Sequence, residues 1–327
     1  MTDINRFLRA HGWDEAHQQP LAGDASSRRY IRLCSGAKRA LLMIDPQDDT
    51  ARFAAPSTHL ASIGLSAPTI YAREPGLMLI EDFGDAQFAR VITDDPGLEH
   101  GLYKAATDVL CHLERAALPA DIPVVTPDIL GDMIEPAFTH YLPALGLPGD
   151  GAFPKIRDCL TDLLAKHLPT SQVMVLRDHH AENMIWLPER DGVRRVGLLD
   201  FQDALIGPPV YDLVSMLQDA RRDVSETCRD NTLAYYLDQT GQSADHVLPA
   251  YHLLGIQRNL RILGVFARLA AVRGKPGYLA LIPRVWAHIQ TSLEAPVSAP
   301  LRPLVRDVFP DPIQDRLTAM RSTCLTP

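Results

Sequence analysis

Leu176-Arg177-Asp178-His179-His180-Ala181-Glu182-Asn183 and Leu199-Asp200-Phe201-Gln202-Asp203, with Asp200 17 residues after Asn183, are the runs that decide how this chain folds. Each leads out of a short apolar run, Met174-Val175-Leu176 and Val196-Gly197-Leu198-Leu199, of the kind that forms a buried strand. A carboxylate, a carboxamide and a second carboxylate therefore follow two short strands. Phosphoryl transfer needs such a set: one carboxylate orients or accepts the proton of a hydroxyl, while an Asn and an Asp offer Mg²⁺ the hard oxygens it prefers. Singly, Asp and Asn are ordinary turn residues. Their joint spacing carries the reading.

Working outward toward the N-terminus, residues 3–12 space Ile4, Phe7, Leu8 and His11 as one face of a short helix. The period then changes. Residues 27–33 and 40–44, joined by Ser35-Gly36, read as a hairpin; 50–63 reads as a helix; 68–71 and 77–80 read as two more strands around Pro75-Gly76. Beyond Asp82-Phe83-Gly84, broad apolar faces predict helices at 100–117, 152–168, 210–222, 231–239 and 251–272. Proline-rich 296–312 reads as a surface connection before a last helix at 313–320. The expected architecture is α+β: a β-rich N-lobe over 1–84 and a helical C-lobe over 85–327.

Composition narrows the chemistry. Over 327 residues, 46% hydrophobic and 22% charged residues fit a globular protein, and a net charge of -8 disfavours a nucleic-acid surface. The N-terminal run has no apolar leader and no window resembles a membrane span, so a cytoplasmic protein is expected. The five cysteines are scattered without a C-x-x-C pair, which argues for reduced structural thiols. His179-His180 lacks a third ligand at zinc spacing and is read as structural. No G-x-x-x-x-G-K-[ST], G-x-G-x-x-G or G-x-S-x-G motif is present. Only five of the 32 cationic side chains are lysines, and Lys38 is alone in the first 84 residues.

The loops resemble the catalytic-loop and metal motifs of the protein-kinase-like fold, and in their short form those of the aminoglycoside phosphotransferase and choline kinase family. The resemblance implies ATP and Mg²⁺ as cofactors, Asp178 as catalytic base, and Asn183 and Asp200 as Mg²⁺ ligands. Asp203 becomes a supporting acid near the metal and the acceptor, and Asp212 a structural brace. Leu21 to Tyr30 sits where the fold has its phosphate-covering turn, which implies nucleotide contacts at Gly23, Ser26, Ser27 and Arg29. Leu79-Ile80-Glu81-Asp82-Phe83-Gly84 looks like the adenine-pairing hinge, with Glu81 and Phe83 as its contacts. Gln257-Arg258-Asn259-Leu260-Arg261, followed by Gly274-Lys275-Pro276-Gly277-Tyr278, is similar to the anomeric kinases of N-acetylmuramate and N-acetylglucosamine used in cell-wall recycling. Arg258 and Arg261 then face a small-molecule acceptor bearing a carboxylate.

Two positions depart from that pattern. Leu176 replaces the catalytic-loop histidine. Met43 stands where the strand lysine that grips the phosphates belongs, and no glutamate in 50–63 is a convincing partner for such a lysine. Lys38, Arg28, Arg29, Arg32 and Arg39 are the candidates for the missing charge. The anomeric sugar kinases resemble this chain in having an apolar residue there. The alternatives are an aminoglycoside, choline or homoserine-type kinase, or a non-catalytic nucleotide-binding protein of the same fold.

Overall fold

The computed structural model describes residues 4–21, 28–149 and 151–324, without the side chains of 322–324. In chain order the elements are α1 (Ile4–Ala10), β1 (His17–Pro20), β2 (Arg29–Ser35), β3 (Lys38–Ile44), α2 (Thr50–Ser62), β4 (Ile70–Glu74), β5 (Leu77–Ile80), α3 (Phe88–Asp94) and α4 (Glu99–Arg115). There follow α5 (Pro127–Asp132), α6 (Leu142–Ala144), α7 (Phe153–His167), β6 (Val173–Val175), β7 (Met184–Trp186), β8 (Val196–Leu198) and β9 (Leu205–Gly207). The last six are α8 (Val210–Leu217), α9 (Glu226–Thr240), α10 (Ala244–Arg273), α11 (Ile282–Glu294), α12 (Leu301–Val308) and α13 (Gln314–Cys324).

The chain divides into two compact units, Met1–Asp121 with Leu176–Ala204, and Ile122–Val175 with Leu205–Pro327. The loops that carry Asp178, Asn183, Asp200 and Asp203 thus belong with the sheet, whereas a division after residue 84 groups them with the helices. Hydrogen bonding explains the grouping. β7 and β8 pair with each other, and isolated bridges join Gly197 to Ser66 and Ile185 to Gln87.

In the first unit, five antiparallel strands run in the order β1-β2-β3-β5-β4. Strand alternation sorts the sheet into two faces. Leu33, Ala40, Leu42, Ile44, Leu77 and Leu79 pack with Phe7 and Leu8 of α1 in one apolar cluster. Tyr30, Met43 and Met78 sit in one row across β2, β3 and β5 on the opposite face. β1 carries no apolar alternation. His17, Gln18, Gln19 and Pro20 are all exposed at the sheet edge, where a terminal proline is tolerated.

The second unit is helical around a small ladder, β6 with β9. Its centre is α10, thirty residues long, most of whose interior is buried. Gly264 of α10 is required by close approach: an added Cβ would stand 2.0 Å from the backbone carbon of Pro136. The proline-rich stretch is not a bare connection. Leu301 and Val305 of α12 are buried one turn apart, and Pro303 lies in the first turn, where its missing N–H has no helical partner to lose. Cys34, Cys111, Cys159 and Cys228 form no disulfide among the described residues. No helix among those residues is long and apolar enough to cross a membrane.

Candidate active site

The two polar loops are joined through one side chain. Asn183 Nδ2 donates to the Asp178 carbonyl at 2.9 Å and to Asp200 Oδ2 at 3.4 Å. Its backbone carbonyl accepts from the Leu199 N–H at 3.0 Å, and its own N–H donates to the His180 carbonyl at 2.8 Å. Acceptors gathered around Nδ2 set the orientation of the amide, with Nδ2 toward the Asp200 carboxylate. Gln202 Nε2 donates to Asp200 Oδ1 at 2.5 Å. Within these two loops, Arg177 at φ 77° and Asp200 at φ 58° take left-handed backbone angles without being glycine. That conformation costs about 1–2 kcal/mol in an L-residue, so both loops are held by their surroundings.

The donor set is chemically suited to Mg²⁺. A carboxylate and a carboxamide oxygen offer hard ligands to an ion that usually keeps several waters. No group of three His, Cys, Asp or Glu side chains arranged for a metal occurs among the described residues. His179 and His180 are both buried. Burial pushes the His179 imidazole down to about 4, with a hydrogen bond to the Ala106 backbone opposing and the neighbouring His180 adding a little. The buried ring is neutral near pH 7.

On the sheet face opposite α1, Tyr30 is opposite Met43 in β3, and Met43 opposite Met78 in β5. Met43 is fully buried, so an apolar thioether fills the lysine position. The Tyr30 hydroxyl is pushed up to about 12, by burial above all, against the pull of Arg28 and with help from Asp200 and Asp45. Arg28, Tyr30, Asp45 and Asp200 therefore share one electrostatic neighbourhood. Arg28 Nε pairs with Asp45 Oδ2 at 3.0 Å, nearly out of solvent. Arg32 is engaged by Asp82 at 2.7 Å and Asp85 at 2.8 Å, which holds the Asp85 carboxyl below its usual range.

Lys38 and Arg29 alternate onto the other face, with Ala40 and Leu33 of the α1 cluster, and are exposed. Gly23, Ser26 and Ser27 lie outside the described residues.

The 81–84 segment is clamped by its side chains. Glu81 accepts from the Thr69 hydroxyl at 2.9 Å and pairs with Arg190. The Arg190 guanidinium stands 5.0 Å over the Phe83 ring, and the ring also lies close to Gly197, where a Cβ would come within 2.8 Å of it. Among the described residues, the Phe83 N–H and the Glu81 carbonyl make no hydrogen bond.

Two contacts were not visible from sequence. On α2, Arg52 makes an ion pair with Asp203, and Phe53 packs its ring on Phe201 at 5.1 Å. The partners are so far apart in the chain that no periodicity signals either contact.

In the second unit, Arg258 is buried although it sits on a long helix whose arginines are ordinarily solvated. Its Nη2 donates to the Ser215 hydroxyl at 2.8 Å, and Nη1 has no hydrogen-bond partner among the described residues. Arg261 is half-buried. The flanking residues are packing polar groups: Gln257 donates to the Leu130 carbonyl at 2.9 Å and Asn259 to Gln218 at 2.7 Å. Asp212 is buried in α8.

Comparison with known proteins places this geometry in context. A model of the phosphotransferase enzyme family matches residues 17–247. The chain is 35% identical to the N-acetylmuramate/N-acetylglucosamine kinase of Caulobacter vibrioides, over 90% of this chain and 93% of that one. It is 31% identical to the kinase of the same name from Pseudomonas aeruginosa, over 87% of each. Among solved structures, a choline/ethanolamine kinase family protein from Mesorhizobium loti is similar in fold, with a TM-score of 0.62 at 17% identity over 95% of this chain and 94% of that one.

Proposed function

We propose a reaction for this chain from one premise: it belongs to the phosphotransferase enzyme family. It is an ATP-dependent kinase that phosphorylates a sugar hydroxyl. The acceptor we assign is the anomeric hydroxyl of N-acetylmuramate or N-acetylglucosamine, the sugars named for the two relatives that match nearly the whole chain.

In this reading the Asp178 carboxylate accepts the hydroxyl proton as the anomeric oxygen bonds to the γ-phosphorus. The bond from that phosphorus to the β–γ bridging oxygen breaks, and ADP leaves with the electron pair. Asn183 Oδ1 and the Asp200 carboxylate would hold Mg²⁺, which when bound neutralises charge on the phosphate oxygens. The Glu81 carbonyl and Phe83 N–H would pair with an adenine edge; what supports this is the Phe83 ring held by Arg190 and by close approach to Gly197.

Arg28 is our choice for the phosphate-facing cation. What supports it over Lys38 and Arg29 is its place on Tyr30's side of the sheet, its fixation by Asp45 and its shared neighbourhood with Asp200. Arg258 and Arg261 are assigned to the acceptor. A buried guanidinium with one neutral partner favours an anion, and N-acetylmuramate brings a carboxylate.

The observation that carries the reaction is the Asn183 amide, which ties the backbone of Asp178 to the carboxylate of Asp200. The buried Met43 favours a second reading, a nucleotide-binding protein without turnover. A γ-phosphate transfer assay over amino sugars, aminoglycosides, choline and homoserine separates the two, since turnover on none of them supports the second. For Asp178→Asn we expect turnover to fall about 10² to 10⁴-fold while ATP affinity holds, as for loss of a general base. Full activity in that variant would remove Asp178 from the mechanism.

A further inference from the structure

The first turn of α2 presses two consecutive side chains onto the turn that carries Asp200. Arg52 pairs with Asp203, and Phe53, 3% exposed, packs on Phe201, 0% exposed, with ring centroids 5.1 Å apart and planes at 40°. Consecutive side chains on a helix point about 100° apart, so both contacts form together only when α2 has one rotation and one height against that turn. The turn needs such fastening. Asp200 holds a left-handed backbone at φ 58°, and contacts on the turn include Asn183 and Gln202 on the Asp200 carboxylate and a 3.5 Å approach of Arg177 Nη1 to the Asp203 carbonyl.

An ion pair as exposed as Arg52–Asp203, at 56% and 38%, contributes only about 0–1 kcal/mol to folding. Its reach across the chain to the residue three beyond Asp200 points to a local role. We propose that Arg52 is a positioning residue: through Asp203 it holds the Asp200 carboxylate in the orientation that meets the nucleotide's Mg²⁺, so that α2 sets the metal requirement. This assigns Asp203 to Arg52 rather than to the acceptor, and it rests on the reading above in which Asp200 takes the metal.

The test is calorimetric titration of ADP with and without Mg²⁺, which needs no acceptor and no turnover. Arg52→Glu should weaken Mg²⁺-dependent ADP binding about tenfold, inside the coupling range of side chains in contact. Metal-free ADP binding and the thermal midpoint should not move. Arg52→Gln should fall between the two, and the double variant Arg52→Asp with Asp203→Arg should regain affinity to within about threefold of the parent. The proposal is overturned if Arg52→Glu leaves the Mg²⁺ dependence unchanged. It is equally overturned if the reversed pair binds Mg²⁺·ADP no better than Arg52→Glu, because Asp203 would then be acting as a ligand in its own right. Asp200→Ala separates this from the parent reading. If that variant keeps Mg²⁺-dependent binding, the metal assignment falls and takes the proposal with it; if it loses binding while Arg52→Glu does not, only the positioning role falls.

Discussion

At the scale of single residues, the buried Arg258 makes the sharpest claim on specificity. Its guanidinium has Ser215 as a hydrogen-bond partner and a second nitrogen with none among the described residues. If that charge reads the carboxylate of N-acetylmuramate, removing it should separate the two sugars kinetically. Arg258→Met is expected to raise KM for N-acetylmuramate about 10 to 100-fold, the worth of a charged hydrogen bond, while KM for N-acetylglucosamine changes little. Steady-state kinetics with both sugars on one preparation measures the ratio and is insensitive to a shared loss of folded protein. Equal changes for the two would take the carboxylate away from Arg258.

At the scale of elements, the legible parts were those whose period is local. The α1 face, the β2–β3 hairpin, α2 and β5 follow from apolar spacing and turn residues. So do the loops after β6 and β8, because Asp178, Asn183 and Asp200 stand at fixed offsets from short apolar runs. What escaped was set by partners distant in sequence. β1 is an exposed edge strand with no apolar pattern, and β7 and β9 are three-residue strands that exist through their antiparallel partners. Arg52 looks like any exposed helix cation until Asp203 is brought to it.

The glycine of α10 supplies an element-scale prediction. A Cβ at Gly264 would press on backbone atoms of Pro136 and Ala137, which cannot swing aside. Gly264→Ala should therefore destabilise by about 1–3 kcal/mol or more, as overpacking does. Gly101→Ala in α4, where nothing lies within 4 Å, should be neutral or gain up to about 1 kcal/mol. Urea unfolding of the two variants side by side checks both signs.

For the molecule as a whole, His179 links stability to acidity. Its folded value of about 4 lies below the ordinary 6.5, so the unfolded chain binds the extra proton between those values. The neutral ring costs nothing above pH 6.5, and stability is lost as pH falls from there toward 4. By the shift alone the loss is on the order of 3 kcal/mol at the acid end. His252 and His288 are lowered by burial as well and add to the same slope. Unfolding free energies measured at pH 7, 5.5 and 4.5 should fall steadily, and the fall should be shallower in His179→Gln. A flat profile in the parent protein would contradict the buried neutral imidazole.

The Met43 thioether in β3 also makes the proposed nucleotide face observable. Met43 and Met78 are cross-strand neighbours beside Tyr30, and the chain has only eight methionines. With ¹³C in the methionine methyl groups, an NMR spectrum of this 327-residue chain reduces to a handful of resonances. Arrival of ATP should move the Met43 and Met78 signals while leaving Met320, buried in α13, where it was. The apolar residue at this strand position is thus a native spectroscopic label.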